Sequence, residues 1–453
     1  MNDLMNINRR AALARMGAGM GTLGLFNSLQ AATGMAPHFA PRAKRVIHLF
    51  MNGGPFGPDF LDPKPALKKF EGQRPAGTDL RTERPTGGLL DAPFKYARHG
   101  QSGLPVSELL PHTARFADDL CVLRSMHTDN PNHGPALLLM NNGTMTPKVP
   151  SMGAWMSYGL GTENANLPAY IVLCPGRPVR FSILWNSAFL PSQHQGVYIN
   201  HSKIAPKEMI PWLRNAKLDP AAQRRQLDLM QALNREHLAQ QGTPDPALEG
   251  RIAAMETAYR MQFAATDAFD IAKEPARVRE TYGKGHFANG CLLARRLSER
   301  GVRFIQVYYG NGQPWDTHRS HNKTTPNLAK NIDQPMAALL GDLKERGMLE
   351  DTLIVWGGEF GRTPVSENGN GRDHNPHGFM MWLAGGGVKG GMTYGESDDF
   401  GFKAAQNRMH IHDLHATLLH LLGIDHERLT YRHAGRDFRL TDVHGHVAKE
   451  ILA

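Results

Sequence analysis

Short runs of apolar residues, rich in β-branched and aromatic side chains, constrain the fold of this chain more than any other feature. They are continuously apolar without polar alternation, which is the pattern of a strand covered on both faces of its sheet. Six runs predict buried strands, at residues 45–51, 120–123, 169–173, 302–309, 352–356 and 379–384.

Segments with helical periodicity separate these runs. Apolar residues recur at helical spacing in 287–300, 327–348 and 411–422, and a glycine lies at or near the end of each segment. Strands that alternate with helices of this length predict an α/β fold, with a doubly wound, mainly parallel sheet and helices on both faces. The segment 205–276 is rich in glutamine and charge, and it predicts a helical insertion within a domain that spans 35–453.

The composition argues against several functional classes. The chain has 453 residues with 51 basic and 42 acidic side chains, a formal net charge of +9. This mild excess suits an anionic substrate or a negatively charged envelope surface, but no lysine–arginine run is dense enough to follow a nucleic-acid backbone. Three widely spaced cysteines without a Cys-x-x-Cys pair argue against a thiolate zinc site.

The N-terminus has the pattern of an export signal. Two adjacent arginines, Arg9 and Arg10, precede a short, glycine-rich apolar stretch, and small residues follow as far as Gly34. This order predicts a twin-arginine signal peptide over residues 1–34, an interaction with the twin-arginine (Tat) export machinery, and a periplasmic or otherwise exported protein. The apolar stretch is too short to span a bilayer stably, and no later segment reaches the length of a membrane span.

Polar clusters lie beside several predicted strands. In an open parallel sheet the carboxyl ends of the strands meet at one edge, where ligands bind. The clusters contain Asp59 after the first run, Asp316 and His318 after 302–309, Glu359 and Arg362 after 352–356, and Asp373 and His374 before the last run. Carboxylates and imidazoles at this density suit a borderline divalent cation such as zinc or manganese. Taken singly, each cluster is better explained by a turn, a helix cap or a salt bridge, and only their common placement favours a shared metal site.

A junction with a histidine follows the second predicted strand. Thr128 and His133 lie between that strand and an apolar segment, and Pro135 stands in what would be the first turn of a helix. Backbone amides at such a helix start could bind an anion, although a plain turn with helix capping explains the pattern equally well.

Six motifs occur in a fixed order along the chain, at residues 51–55, 62–65, 315–318, 358–364, 371–374 and 413–417. Together they resemble a bacterial family, catalogued as domain of unknown function 1501 (DUF1501), which is related to the alkaline phosphatase and sulfatase superfamily. The resemblance implies an alkaline-phosphatase-like α/β core with a two-metal arrangement, filled by zinc, manganese or calcium. It implies Asp59 as an early ligand, Asp316 and His318 as a middle group, and Asp373 with His374 as a later pair, while Glu359 stands where many relatives have an Asp-His pair.

The resemblance also implies a nucleophile at the start of the helix after the second strand, and the sequence departs from it there. By spacing back from Gly143, that position is His133, and the nearest hydroxyl is that of Thr128. The Cys-x-Pro-x-Arg motif of sulfatases is missing.

The predicted function is therefore hydrolysis of an anionic ester, phosphate or sulfate, by an exported metal-dependent protein. Metal would polarise the ester oxygen, Arg362 would offset developing charge, and His133 would be a general base, with Thr128 as an alternative nucleophile. The alternative is a non-catalytic metal-binding envelope protein that holds an anionic glycan or a protein partner. A metal-free structural protein is a third interpretation.

Overall fold

The computed structural model describes residues 35–210, 217–241 and 245–453. The predicted signal peptide, residues 1–34, lies outside these residues. None of the helices in the described ranges has the length and apolar character needed to cross a membrane.

Strands occur in two stretches of the described chain, residues 45–200 and 304–438. In order they are β1 Arg45–Phe50, β2 Tyr96–His99, β3 Leu104–Ser107, β4 Leu120–His127, β5 Tyr170–Cys174, β6 Val197–Asn200, β7 Phe304–Tyr308, β8 Thr352–Gly357, β9 Gly361–Glu367, β10 Gly371–Asn375, β11 Phe379–Ala384, β12 Met392–Tyr394, β13 Glu396–Ser397, β14 Ala404–Gln406, β15 Met409–His410, β16 Tyr431–His433 and β17 Arg436–Phe438. Each of the six apolar runs overlaps one of these strands.

The α-helices lie between and after the strands. In order they are α1 Pro65–Lys69, α2 His133–Asn142, α3 Met152–Leu160, α4 Pro206–Met209, α5 Pro220–Gln241, α6 Pro246–Ala268, α7 Ala276–Tyr282, α8 His286–Glu299, α9 His321–Glu345 and α10 Ile411–Leu421. Helices α8, α9 and α10 correspond to the three periodic segments of the sequence.

Within the described part of the chain, nine strands form the central sheet, in the order β12-β4-β11-β8-β1-β7-β5-β6, with β15 also paired to β4. Strand β11 runs antiparallel to β4 and β8, and the other pairs of this sheet are parallel. The connection from β8 to β11 contains a hairpin and no helix, and a parallel return would need a longer crossover. The predicted α/β class with a mainly parallel sheet is confirmed.

Helices cover both faces of this sheet. Ile47 and Leu49 of β1 lie in one buried apolar cluster with residues of α8 and α9. Val46 and Phe50 lie in a second buried cluster, on the opposite face, with residues of α2, α3 and α10. Successive side chains of a strand point to opposite faces, so a strand buried on both sides must be apolar throughout.

The segment predicted as a helical insertion contains the helices α4, α5 and α6. Arg224 of α5 pairs with Glu256 of α6 at 2.7 Å, which joins these two long helices. Met261 and Ala265 of α6 are buried in the same cluster as α8 and α9. Met209 of α4 lies in that cluster too, so the segment is attached to the sheet domain through α4 and α6.

The loops that matter for function lie at one edge of the sheet. Strands β1, β4, β7 and β8 point in the same direction, so their carboxyl ends meet at this edge. The hairpin of β9 and β10 follows β8 directly and lies at the same edge. This arrangement brings together residues that are hundreds of positions apart in the sequence.

Candidate metal centre

One carboxylate oxygen lies at the centre of a group of nitrogen atoms. The Oδ1 atom of Asp316 is 2.9 Å from Nε2 of His318, 3.1 Å from Nε2 of His374 and 3.3 Å from Nε2 of His133. The guanidinium of Arg362 lies 2.6 Å from the same oxygen. A carboxylate oxygen has about two lone pairs, so four nitrogens around it exceed what hydrogen bonding alone can satisfy.

Two of these imidazoles have a buried nitrogen without a hydrogen-bond partner. The Nε2 atoms of His133 and His318 are both buried and unpaired among the described residues. A buried polar atom without a partner is costly, and a bound ion or water is one way to offset that cost. Here both unpaired atoms are turned toward Asp316, which is where a cation would satisfy them.

Each of the three imidazoles has its other nitrogen, Nδ1, on a glutamate carboxylate. The pairs are His133 with Glu359 at 2.7 Å, His374 with Glu83 at 2.6 Å, and His318 with Glu367. An ionised carboxylate only accepts hydrogen bonds, so the imidazole proton lies on Nδ1 and the Nε2 lone pair is free. Histidine ligands of metals are oriented in this way.

Asp373 adds a second carboxylate to the group. Its Oδ2 atom accepts a hydrogen bond from the backbone N–H of Arg84 at 2.6 Å, and its Oδ1 atom is buried without a partner. The ligand atoms of His318, Asp373 and His374 lie within 4.8 Å of one another, as do those of His133, Asp316 and His374. These two overlapping groups define the candidate metal centre.

A local irregularity in a hairpin explains how two consecutive residues reach the same group. Neighbouring side chains of a regular strand point to opposite faces. The pairing of β10 with β9 shifts between Arg372 and His374, where Asp373 alone lies opposite three residues of β9. Such a bulge re-aims side chains, and here it lets Asp373 and His374 share one group.

The loop after β1 fits against Asp316 only because it contains a glycine. Gly53 has φ +115°, and a Cβ atom there would lie 2.5 Å from the backbone nitrogen of Asp316. Its backbone N–H donates to the carboxylate of Glu359, at 3.1 Å to Oε1. Glycine at this position therefore allows both the fold of the loop and the placement of Glu359.

Arg362 was predicted as a charge that faces the substrate, and the structure places it differently. Its guanidinium is completely buried and donates to the backbone oxygens of Gly53, Gly54 and Arg372 as well as to Asp316. These acceptors occupy its donor directions, so the arginine holds the β1 loop and Asp316 together.

Glu359 was predicted as a metal ligand, but its carboxylate contacts the candidate ligand His133 instead. Its carboxylate is completely buried and accepts from Gly53 N–H, from His133 Nδ1 and, at 3.4 Å, from Gln313. It belongs to neither group of convergent ligand atoms. We therefore assign it to the orientation of His133.

Asp59 is the predicted ligand that lies apart from the centre. Its Oδ2 atom is 2.8 Å from Nε2 of His321, and Nδ1 of His321 is 2.6 Å from the hydroxyl of Thr317. All three side chains are buried. Since Thr317 stands between Asp316 and His318, this hydrogen-bonded chain fixes the loop that carries two site residues.

The predicted nucleophile Thr128 has no described link to the centre. Its hydroxyl is buried without a partner among the described residues, and its backbone N–H donates to the oxygen of Pro376 at 2.9 Å.

The start of α2 offers few free amides for an anion. The side chain of Asn132 accepts from Gly134 N–H at 3.0 Å, and its backbone oxygen accepts from Ala136 N–H. Pro135, between them, has no N–H. Of this first turn only the amide of His133 remains, so the structure favours the capping interpretation over an anion site built from amides.

The electrostatics of the centre favour positive charge around Asp316. Burial works to raise the pKa of Asp316, but the three close imidazoles and the charge of Arg362 outweigh it and hold the pKa well below its ordinary value. The closeness of the Asp316 carboxylate raises the pKa of His318. Burial lowers the pKa of His133, yet the nearby carboxylates of Asp316 and Glu359 outweigh this and leave the pKa raised.

Two residues of the centre were missed by sequence reasoning. Glu83 lies in a long loop without regular pattern, and Glu367 lies at the end of β9. Their role depends on contacts across 291 and 49 positions, to His374 and His318 respectively. No local spacing in the sequence carries that information.

Fold and site together define an α/β protein with a candidate divalent-metal centre at the carboxyl edge of its sheet. The chain belongs to the family described as Protein of unknown function (DUF1501), whose model matches residues 43–452. A comparison with curated proteins gives no match.

The chain is similar to several solved structures. One is the PsFucS1 sulfatase from Pseudoalteromonas sp., with 13% identity, a TM-score of 0.34, and coverage of 85% of this chain and 69% of that one. Another is the lipoteichoic acid synthase LtaP from Listeria monocytogenes, with 10% identity, a TM-score of 0.35, and coverage of 91% and 79%. A third is the C-terminal periplasmic domain of EcEptC from Escherichia coli, with 10% identity, a TM-score of 0.34, and 86% of each chain covered.

Proposed function

We propose that this chain is an exported, metal-dependent, hydrolase-like protein that acts on anionic esters, phosphate or sulfate. One observation carries the proposal: three imidazoles, each with Nδ1 on a carboxylate, turn their Nε2 atoms toward Asp316. Hydrogen bonds to the glutamates leave these lone pairs free, and a divalent cation is the partner that would satisfy all of them.

The residues that would hold the metal share one feature, a buried or half-buried ligand atom that faces the centre. They are His133, Asp316, His318, Asp373 and His374. Three imidazoles and two carboxylates suit zinc or manganese, whereas calcium prefers an all-oxygen set. The donor set therefore favours zinc or manganese.

A bound divalent cation would supply a Lewis acid for the ester oxygen and would make water more acidic. The chain's own residues orient the centre: Glu359 holds His133, and Arg362 holds Asp316. Nδ1 of His133 is bonded to Glu359 and its free Nε2 faces Asp316, so we reassign it from general base to ligand. We propose that water, and not a side chain, attacks the ester.

Activity assays test this proposal directly. The purified full chain would be incubated with chromogenic phosphate and sulfate esters, after chelation and after addition of zinc or manganese. We expect hydrolysis that depends on metal and is lost in Asp316→Ala. The matched control is Asp399→Ala, which removes an exposed carboxylate. Hydrolysis that survives chelation, or survives in Asp316→Ala, would contradict the proposal.

The second candidate is a non-catalytic metal-binding envelope protein that holds an anionic glycan or a protein partner. The polar groups at the centre favour it, because they bond to the protein itself and are not turned toward a substrate. The imidazoles bond to glutamates, and Arg362 bonds to backbone oxygens. A protein that holds metal and hydrolyses no ester of the panel would support this candidate.

Export is a separate part of the proposal and has its own experiment. The double change of Arg9→Lys with Arg10→Lys should block passage through the twin-arginine route and leave the fold intact. Normal periplasmic accumulation of this variant would contradict the twin-arginine assignment.

A further inference from the structure

An exposed arginine with no partner lies beside the candidate metal centre. The guanidinium of Arg180 forms no ion pair or hydrogen bond with any residue that the structure describes. It lies against the first turn of α2, where a Cβ atom at Gly134 would be 2.6 Å from its Nη2 atom and 2.9 Å from its Nε atom. Gly134 directly follows His133, so this free cation lies against the helix turn that carries one candidate ligand.

The absence of a side chain at Gly134 makes this position available to the guanidinium. A Cβ atom there would overlap the planar group where it now lies. Gly134 has no positive φ, so backbone conformation does not explain the glycine. The close approach of Arg180 does.

The segment that carries Arg180 is fixed to the loop that leads to Asp316. Pro178 forms an isolated bridge with Gly312, and the backbone N–H of Arg177 donates to the side chain of Asn311 at 2.7 Å. The segment follows β5, and the loop follows β7, which is its parallel neighbour. Both therefore lie at the carboxyl edge of the sheet, on the same side as the centre.

The backbone at Arg180 is strained. Arg180 has φ +65° and the next residue, Phe181, has φ +30°. Residues with a side chain seldom occupy this region, and such strain is concentrated at ligand sites. Here it accompanies the turn that directs the Arg180 side chain toward Gly134.

The amides of α2 cannot take the place of this cation. Asn132 uses the N–H groups of Gly134 and Ala136, and Pro135 has none. Arg362 is also unavailable, because backbone oxygens and Asp316 occupy its donors. Arg180 has no such acceptors among the described residues, so its donors are free.

We infer that Arg180 binds the anionic group of the substrate, a tetrahedral oxyanion, and this inference rests on the proposed function. A guanidinium presents a planar fork of N–H donors that matches two oxygens of a phosphate or sulfate group. Arg180 is thus a specificity-determining residue that selects esters with a negative charge.

The neighbouring arginine provides a matched control. Arg177 is exposed, carries the same charge and lies on the same segment, but its guanidinium stacks on the ring of Phe181 at 5.0 Å. Arg177→Ala and Arg180→Ala therefore change the net charge equally and differ only in the position of the lost group.

Isothermal titration calorimetry of the zinc-loaded full chain, with inorganic phosphate and separately with sulfate, tests the inference. Arg180→Ala should weaken binding of at least one anion on the order of 10- to 100-fold, the loss expected for charged hydrogen bonds. Gly134→Ala should also weaken it, because the new Cβ atom displaces the guanidinium. The anion affinity of Arg177→Ala should stay within about twofold of the native value, because a screened surface charge contributes little.

Metal content, measured on the same samples, separates the two proposals. Equal anion affinity in Arg180→Ala and the native protein, with metal retained in both, would overturn the role of Arg180 alone. An equal loss in Arg177→Ala, or a native protein that binds neither anion, would also overturn it. A native protein that binds no metal would overturn the proposed centre. If Arg180→Ala weakened phosphate binding in that protein and Arg177→Ala did not, the inference on Arg180 would still be supported.

Discussion

The Nδ1 atom of His133 lies 2.7 Å from Oε1 of Glu359, a completely buried carboxylate 226 positions further along the chain. The bond places the imidazole proton on Nδ1 and turns Nε2 toward Asp316, 3.3 Å away. Glu359 itself is held by the backbone N–H of Gly53. The β1 loop thus sets the orientation of a candidate ligand on a different element, α2.

Loss of Glu359 should weaken metal binding without removing a ligand. Glu359→Ala deletes the carboxylate that orients His133, and losses of such oriented partners cost about 10- to 100-fold in metal affinity. Titration with a metal buffer should show this weaker affinity with unchanged stoichiometry at saturation. The control Glu350→Ala removes an exposed glutamate and should bind metal as the native protein does. A native metal affinity in Glu359→Ala would show that Glu359 does not orient His133 for metal binding.

Asp59 should contribute to stability and not to metal stoichiometry. Asp59→Ala leaves the buried Nε2 of His321 without its partner, which costs about 1–3 kcal/mol in the free energy of unfolding. Urea unfolding of the metal-free protein would measure this loss, and elemental analysis of the loaded protein would give the stoichiometry. If a metal equivalent disappears while stability is unchanged, Asp59 is a ligand, as the family resemblance implied.

Gly53 should be more sensitive to substitution than a glycine of similar backbone conformation. Gly53→Ala adds strain and also an overlap with Asp316, because the Cβ atom would lie 2.5 Å from its backbone nitrogen. Gly72→Ala is the control, since Gly72 has φ +74° and open space around its Cβ position. Overpacking should make Gly53→Ala about 1–3 kcal/mol less stable than Gly72→Ala in urea unfolding. Equal losses of stability in the two variants would show that the overlap with Asp316 does not contribute to the cost.

Two buried histidines should make the fold sensitive to acid. Burial lowers the pKa of His48 and of His415 to about 3, from 6.5 in the unfolded chain. The unfolded chain takes up these protons below about pH 6.5 and the folded protein only near pH 3, so the free energy of unfolding falls as the pH drops through this window.

Removal of one of these histidines should reduce the acid sensitivity. In His48→Leu, the decrease in the free energy of unfolding from pH 7.5 to pH 5 should be about 1–2 kcal/mol smaller than in the native protein. Urea unfolding of the metal-free chain at the two pH values measures it. The exposed His112 gives the control variant His112→Gln, which should retain the native decrease. An unchanged decrease in His48→Leu would contradict this account.

The fold was predictable from the sequence because burial on both faces leaves a local pattern. The residues of β1 from Val46 to Phe50 are apolar apart from His48, and this run alone indicates a central strand. The antiparallel course of β11 was not predictable, since its apolar run looks the same in either direction.

The site was predictable only in part, because strand ends can be recognised in the sequence and contacts between distant residues cannot. Position beside a predicted strand, after it for Asp316 and His318 and before it for Asp373 and His374, identified four residues that the structure brings together. It also selected Asp59, because sequence position does not separate a residue at the edge from one packed a layer deeper. Glu83 and Glu367 act through contacts with distant histidines, and such pairs have no spacing that could be recognised.

The central claim is that a divalent cation binds among three imidazoles and the Asp316 carboxylate, and anomalous diffraction from crystals of the zinc-loaded full chain tests it most directly. We expect a strong peak at about 2.0–2.2 Å from Nε2 of His133 or His374 and from a carboxylate oxygen of Asp316. This peak should disappear in Asp316→Ala and persist in Asp399→Ala. Zinc bound elsewhere on the chain, with no peak between these residues, would contradict the account.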